Sequence, residues 1–584
     1  MSYVPPIDDL RFLLTCVFDL RELTRLFAEE GFDAELALAL LEEAGRFTAE
    51  TLAPLNLPGD EAGCTLANGL VTTPPGFARA YRAYAENGWC ALSAPVAHGG
   101  QGLPHSMQVL VDEMVSGANL SFGLFPGLTR GATEAISAHA SKALKDAYLP
   151  KMISGEWTGV MALTEAAAGT DLGLLRAKAV PLEDGAHAIT GTKIFISSGD
   201  HDFGGNIVHL VLARLPDAPA GVKGISLFLV PKFLPDTQGG LGARNSLSVG
   251  ALEHKMGIHA QPTCVMNYDG AKGWLVGEPN RGLAAMFTMM NAERLFVGLQ
   301  GLGIAHAAYL KAASYAKERR QGRAPGQDQA PAPIIEHPDV RRMLLSIRAF
   351  VEAGRALALW TAMRIDMARH HEDEATRAQA DKLVSLLTPV VKAAFTDFGF
   401  EAAVQAQQVF GGHGYVHEWG MEQFVRDARI AQIYEGTNGV QALDLVSRKL
   451  PMDDGAVVRE FFDLVAAELG QARAAGAGET AGAVEAALAE LRRLTEELLR
   501  QAGDAAESGA ASVEYLRMFA LVCFGWMWAR MDAAARRDTT SPPHESKPAL
   551  ARFFVSRMLP QTTGLAAAVR AGAASITALP AAVF

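Results

Sequence analysis

The chain has 584 residues, 49% of them hydrophobic and 20% charged, an ordinary globular composition that excludes a disordered chain and, at this length, predicts two to four domains. Its net charge of −12, from 52 Lys and Arg against 64 Asp and Glu with no long basic run, excludes a role built on neutralising a phosphate backbone, so nucleic acid is not an expected partner. Five scattered cysteines without a Cys-x-x-Cys pair (Cys16, Cys64, Cys90, Cys264 and Cys523) point to reduced thiols rather than a disulfide framework or a zinc site.

The opening Met1-Ser-Tyr-Val-Pro-Pro-Ile-Asp-Asp9 lacks the basic patch and apolar run of a secretory signal and is too acidic for a transit peptide. No window reaches about 18 uninterrupted apolar residues, the length a spanning helix needs. The expectation is a cytoplasmic protein with no integral membrane segment. Up to about Gly155 the apolar residues recur at helical spacing, as in Leu36, Leu38, Leu40, Leu41, Ala44 and Phe47. Between roughly Gly159 and Gly282 the texture changes. Ile207-Val-His-Leu-Val-Leu-Ala213 and Ile225-Ser-Leu-Phe-Leu-Val230 are short apolar runs bounded by Gly, Pro and Asp, the pattern of buried strands.

From Arg281 to Arg323 there is no proline, and Gly298, Gly301, Ala305, Ala308 and Ala312 share one helix face. A glycine inside a helix costs about 0.5–1 kcal/mol relative to alanine, so close packing must offset it. The segment from Gly322 to Pro333 carries turn chemistry and reads as an exposed loop. Pro338 then suits the first turn of a helix bearing Val340, Leu344, Ile347, Val351 and Leu357. A further helix is predicted from Thr376 to about Gln408, bent near Pro389. After Pro451 the pattern restarts, with Val484, Leu488, Leu491 and Leu498 on one face. The predicted fold class is mainly α with an inserted β-domain. Its segments are an N-terminal helical extension (1–40), a helical domain (41–158), a middle β-domain (159–280), a helical bundle (281–450) and a C-terminal helical domain (451–584).

Five local signatures occur in order along this frame. The first is Met161-Ala-Leu-Thr-Glu-Ala-Ala-Ala-Gly-Thr-Asp171, which taken alone is a Gly-containing turn. The second, Ile189-Thr-Gly-Thr-Lys-Ile-Phe-Ile-Ser-Ser-Gly199, reads as a turn followed by a half-buried strand. The third, Tyr315-Ala-Lys-Glu-Arg-Arg-Gln321, closes the long helix; an Arg there ordinarily complements the helix dipole. The fourth, Gln408-Val-Phe-Gly-Gly-His-Gly-Tyr415, follows a helical pattern and lacks the strand-turn-helix setting of a dinucleotide fingerprint. His413 and His417 stand four apart, but with no HExxH or carboxylate beside them no metal is expected. The fifth runs from Arg426 to Gln441 and places Glu435 between an apolar run and a glycine.

Together these signatures resemble the acyl-CoA dehydrogenase family over about residues 40–450. The resemblance implies a helical N-terminal domain, a middle β-barrel-like domain and a C-terminal four-helix bundle, here with an extra helical domain. It implies FAD as cofactor. Leu163 and Thr164 would contact the isoalloxazine, Thr170 would lie near the flavin or CoA, Phe195 would pack on the ring system and Ser197 would satisfy a polar flavin edge. Arg319 would reach the diphosphate of the flavin bound by a neighbouring subunit, Gln408 and Gly412 its adenosine end, and Thr437 would face the flavin. Arg294, in Asn291-Ala-Glu-Arg294, matches a position near the thioester entrance, and Tyr434 and Gly436 flank the substrate.

Glu435 stands where the family places its catalytic base. Two departures are visible: Ala166 replaces the usual proline of the first signature, and Gly322 replaces the phenylalanine after the third. The implied reaction removes an α-proton beside a thioester and passes the β-hydride to the flavin, giving a trans-2-enoyl-CoA. Such a base needs a pKa near the working pH, which desolvation by the acyl chain and ring supplies. Electron-transfer flavoprotein is the implied oxidant and a homodimer the implied assembly. The opening Tyr3-Val-Pro-Pro-Ile-Asp-Asp-Leu-Arg-Phe12, the stretch Glu418-Trp-Gly-Met-Glu-Gln423 and the extra C-terminal domain resemble a larger branch of the family that includes dehydrogenation of 3-methylmercaptopropionyl-CoA. Straight-chain acyl-CoA dehydrogenation, an oxidase with the same base and a non-catalytic flavin-binding protein are the alternatives.

Overall fold

The computed structural model describes residues 3–326, 331–538 and 542–584, so the centre of the predicted loop between Gly322 and Pro333, residues 327–330, lies outside the described residues. The chain forms two compact units, one of Thr48–Leu103 and Ala118–Phe296, the other of Met1–Phe47, Pro104–Gly117 and Val297–Phe584.

The first unit joins helices to a seven-stranded sheet. A hairpin of β1 (Thr65–Ala67) and β2 (Leu70–Thr72) interrupts the helical N-terminal third. The sequence reading missed it, although Asn68 and Gly69 turn in the left-handed region at φ 52° and 74°, the pairing that a two-residue hairpin favours. The main sheet contains β3 (Thr158–Ala162), β4 (Lys178–Pro181), β5 (His187–Ser197), β6 (Ile207–Ala213), β7 (Ser226–Pro231), β10 (Leu247–Leu252) and β11 (Thr263–Val276), while β8 (Phe233–Pro235) and β9 (Leu241–Arg244) pair separately.

The strand order is β3-β6-β7-β11-β5-β4, with β10 also on β11; β3 and β6 pair in parallel and the other neighbouring strands of this sheet pair antiparallel. Every residue of β6 and β7 is buried, which explains their unbroken apolar runs. At the end of the path Ala179 N donates to Arg214 O (2.8 Å) and Arg214 N to Ala177 O (2.9 Å). These bonds return β4 to the chain leaving β6, giving the sheet its barrel-like closure. Helix Leu120–His139 lies so close to β3 that a Cβ on Gly159 would stand 2.6 Å from that of Ala132.

The second unit is helical. Residues 297–318 of helix Gly282–Glu318 pack with helices Pro338–His370 and Glu374–Val409, and helix Ala505–Arg537 packs on those two. The small-residue stripe predicted from sequence is a contact: a Cβ on Gly301 would fall 2.4 Å from Phe395 O, and one on Gly399 would fall 2.5 Å from Gly301 O. Pro338 occupies the first turn of its helix, and Pro389 lies inside the next. Phe524, Trp526 and Trp528 of helix Ala505–Arg537 are fully buried, with Trp526 at 5.0 Å from Trp360 and Phe524 at 5.5 Å from Phe398. Among the described residues two helices, Glu374–Val409 and Ala505–Arg537, are long and apolar enough to cross a bilayer by composition alone, but 72% and 78% of their apolar windows are buried in the protein, as core helices are.

Candidate active site

In the first unit Leu163, Thr164, Phe195 and Ser197 lie at the ends of β3 and β5, and Arg294 lies on helix Gly282–Glu318. The chain leaving β3 folds into a tight loop in which Glu165 and Ala168 exchange backbone hydrogen bonds (3.1 and 2.9 Å), leaving Ala166 and Ala167 exposed at its tip. Leu163 and Thr164 are half-buried; Leu163 O accepts from Lys193 Nζ (2.9 Å) and Thr164 O from Ile194 N (2.9 Å). Thr170 is exposed beyond the loop.

The second signature lies wholly within β5 up to Ser197, rather than forming a turn before a strand. Gly191 is in that strand because a Cβ there would stand 3.0 Å from Ala177 Cα. At the end of β5 Phe195 takes a left-handed φ of 59° and remains 60% exposed, and Ser198 follows at 57°. A bulky residue at positive φ costs roughly 1–2 kcal/mol, and such strain clusters at ligand sites. Ser197 is half-buried. Arg294 is buried, with Nη1 3.3 Å from Asn291 Oδ1 and its guanidinium 5.9 Å from the Phe287 ring centre.

Lys193 and Glu165, to which the sequence reading assigned no role, hold this half in shape. Lys193 is 0% exposed and donates to Glu165 Oε1 (2.8 Å), while Glu165 also accepts from Arg176 N (2.7 Å) and Ala177 N (3.0 Å). Burial pushes the Lys193 pKa down despite its partner. Burial also works to raise that of Glu165, but the Lys193 charge and the three hydrogen bonds outweigh it and hold the carboxyl below its usual range.

In the second unit two groups of predicted residues come together. Arg319 is exposed just past the end of helix Gly282–Glu318. One turn earlier Tyr315 stacks on Phe410 at 4.0 Å and shares a hydrogen bond with His413 Nδ1 (2.9 Å), which brings the 315–319 segment to the 408–413 turn. Gln408, Gly411 and Gly412 are exposed there, and a Cβ on either glycine would meet nothing within 4 Å. His413 stacks on Trp419 at 4.5 Å, and His417 pairs with Glu422 at 2.6 Å.

The second group surrounds Glu435. Helix Met421–Ala431 ends, the chain turns through Glu435 (φ 56°) and Gly436 (φ 83°), and Thr437 caps helix Asn438–Asp444 by accepting from Val440 N at 3.3 Å. The Tyr434 hydroxyl donates to Gln300 Oε1. Glu435 is half-buried in the chain by itself, where the sequence reading expected a carboxylate hidden from water; the shielding acyl chain and ring are ligand groups, not residues. Beneath the turn Lys392 Nζ donates to Gly436 O (2.8 Å) and Gln441 Nε2 to Glu435 O (3.3 Å). Neither contact was legible, because each is made from another helix position or from a later turn.

Four domain models match in chain order: acyl-CoA dehydrogenase N-terminal domain over residues 34–156, its middle domain over 160–271, its C-terminal domain over 280–450, and an acetyl-CoA dehydrogenase C-terminal-like domain over 458–580. The chain belongs to the acyl-CoA dehydrogenase family. It is 45% identical over 544 residues, 92% of each chain, to a 3-methylmercaptopropionyl-CoA dehydrogenase of Ruegeria pomeroyi. It is 34% identical over 561 residues, 91% of each chain, to a broad-specificity linear acyl-CoA dehydrogenase of Mycobacterium tuberculosis. The fold matches that of a Bacillus anthracis acyl-CoA dehydrogenase complexed with FAD at a TM-score of 0.74 and 20% identity, covering 96% of this chain and 91% of the other.

As an acyl-CoA dehydrogenase the chain is an FAD-dependent oxidoreductase that introduces an α,β double bond into an acyl-CoA thioester. When bound, FAD supplies the two-electron acceptor for that reaction. The residues present fit it. The strained and exposed Phe195 offers a flat apolar face, exposed Arg319 carries a guanidinium suited to a diphosphate, and Gly411 and Gly412 leave the adjoining turn open to a bulky group.

Proposed function

We propose that this acyl-CoA dehydrogenase converts 3-methylmercaptopropionyl-CoA to methylthioacryloyl-CoA, with Glu435 as the base. One observation carries the assignment of the base: Glu435 stands at the tip of a left-handed turn whose two carbonyls, those of Glu435 and Gly436, are held by Gln441 and Lys392. The likeness to the Ruegeria pomeroyi enzyme along 92% of both chains supports the substrate. In this reading the α-proton passes to the Glu435 carboxylate, the β-hydrogen leaves with its electron pair, and a trans double bond forms between the two carbons. A positioned carboxylate acting on a carbon acid contributes typically 10²–10⁴-fold.

The other residues take these places in the reading. Leu163, Thr164, Phe195, Ser197 and Thr437 adjoin the flavin ring, and Thr170 borders ring and substrate. Arg294, Tyr434 and Gly436 lie toward the thioester. Arg319, Gln408 and Gly412 hold the diphosphate and adenosine of the flavin of a second copy, in a homodimer. The exposure of Tyr415 (87%), Val416 and Trp419 beside that turn supports a covering partner. Electron-transfer flavoprotein reoxidises the enzyme, and the enzyme works in the cytoplasm; that none of the five cysteines is in a disulfide supports a reducing compartment. The functional segments are 1–40, 41–158, 159–280, 281–450 and 451–584.

A second reading, a straight-chain acyl-CoA substrate, is favoured by the 34% identity to the broad-specificity linear enzyme. Anaerobic flavin bleaching with 3-methylmercaptopropionyl-, butyryl-, octanoyl- and palmitoyl-CoA separates the two. The expected result is fastest bleaching by the thioether substrate; equal or faster bleaching by octanoyl-CoA would assign the chain to the second reading. Peroxide release during aerobic turnover would indicate an oxidase instead.

A further inference from the structure

Lys392 sits in the middle of helix Glu374–Val409 and is 0% exposed. A buried ammonium is costly unless its hydrogens are taken up, and an apolar side chain would fill the same space more cheaply. Its Nζ instead donates to Gly436 O and to Asn438 Oδ1, both at 2.8 Å. The two acceptors bracket the residue after Gly436, so the lysine binds the chain immediately downstream of the base.

Asn438 extends this contact. Its Nδ2 lies 2.9 Å from Thr396 Oγ1, 2.7 Å from Asp397 Oδ1 and 3.2 Å from Ala393 O, all on the lysine's own helix. Upstream of the base, Gln432 Nε2 donates to the same Asp397 Oδ1 at 2.6 Å, and Asn438 N donates to Gln432 O at 3.1 Å. Residues 432, 436 and 438 are thus fastened to one turn and a half of helix between Lys392 and Asp397. The clamp contains one cation and one anion joined through a neutral amide.

Glu435 at φ 56° is in a left-handed conformation that a residue with a side chain rarely adopts unaided. What holds the turn is therefore what decides where the Glu435 carboxylate stands. We infer that Lys392, through Gly436 and Asn438, is a positioning residue that sets the Glu435 carboxylate for proton removal. This rests on the assignment of Glu435 as the base.

The test uses the full-length, FAD-loaded enzyme with butyryl-CoA, 2,2-dideuterated butyryl-CoA and 3-methylmercaptopropionyl-CoA. Lys392→Met removes the cation at nearly constant volume. Asn438→Ala cuts the same link at a half-buried amide, so the result does not hang on how the fold takes the loss of a buried charge. A displacement of about 1 Å at a reacting group costs on the order of 10²-fold in rate. For both variants the expected result is a roughly 10- to 100-fold fall in kcat with KM within about threefold of wild type. Flavin content should be unchanged and the α-deuterium isotope effect larger. Variants that load flavin and keep kcat within about twofold of wild type, or that raise KM alone, would overturn the inference. Glu435→Gln, measured alongside, separates the two claims: full turnover by that variant refutes the base itself, whereas a dead Glu435→Gln with unimpaired Lys392→Met and Asn438→Ala refutes only the clamp.

Discussion

Lys193 and Glu165 are to the first signature what Lys392 is to the last: a buried cation that fixes a loop carrying site residues. Because Glu165 is nearly buried, with 11% of its side chain exposed, removal of its partner leaves a carboxylate that keeps the Arg176 and Ala177 amides but has lost its counter-charge, a loss toward the lower end of the roughly 3–5 kcal/mol of a broken buried pair. Lys193→Met should therefore lower the urea midpoint markedly and reduce flavin retention on gel filtration; an unchanged midpoint would show that the pair is dispensable. The sequence showed the loop but not its support. Leu163, Thr164 and Phe195 were legible through motif resemblance, whereas a single lysine in a strand reads as solvated. A usable signal existed in β5, where Ile189 and Lys193 fall on the same face at even spacing and both are buried. The half-exposed Glu435 carboxylate could not have been foreseen, since its expected shielding depends on groups that the chain does not encode.

The elements were legible where a period or a composition rule acts alone. The runs of β6 and β7, the unbroken helix Gly282–Glu318 and the proline at the start of helix Pro338–His370 follow from apolar continuity, absence of breakers and helix-start chemistry. The hairpin of β1 and β2 was lost because its strands are three residues each, too short to show alternation against a helical background. Of the apolar positions assigned to the first long helix, Leu40, Leu41, Ala44 and Phe47 are buried and Leu36 is exposed, since the helix begins only at Ala34 and its first turn faces outward. The glycine stripe makes a quantitative claim. A methyl at Gly301 would press on the backbone at Phe395, which cannot swing aside as a side chain can. Gly301→Ala should destabilise by about 1–3 kcal/mol in spite of alanine's better helix propensity. A gain in denaturant midpoint would mean that the two helices have room to part.

At the scale of the whole molecule, the helices after Pro451 announce themselves as amphipathic but not as core. Burial of Trp526 against Trp360 and of Phe524 among Phe350, Phe395 and Phe398 shows that helix Ala505–Arg537 completes the hydrophobic interior of the unit that holds Glu435. Periodicity reports which face is apolar; it does not say which partner covers it. The sheet-bearing unit holds two buried histidines, His201 and His209. His201 shares a hydrogen bond with Thr158 Oγ1 and His209 with Tyr268 Oη, each at 2.8 Å. Both imidazoles are pushed down to about 3, by burial first and then by the Lys232 charge. Folded, they stay neutral; unfolded, they take up protons near pH 6.5. Their contribution is therefore complete above about pH 6.5 and is lost as pH falls toward 3, at about 1.4 kcal/mol per histidine per pH unit. At pH 5 the two together should cost about 4 kcal/mol relative to pH 7.5. Chemical denaturation across that range should show a fall in stability that His201→Gln and His209→Gln each reduce; parallel pH profiles for wild type and variants would contradict the assignment.

The central claim concerns one carboxylate at the tip of a left-handed turn, and its most direct measurement is anaerobic mixing of FAD-loaded Glu435→Gln with 3-methylmercaptopropionyl-CoA beside the wild type. The wild-type flavin should lose its yellow absorbance. The variant should bind the same cofactor, take up the thioester and stay yellow. Bleaching of the variant at the wild-type rate would show that another group removes the proton.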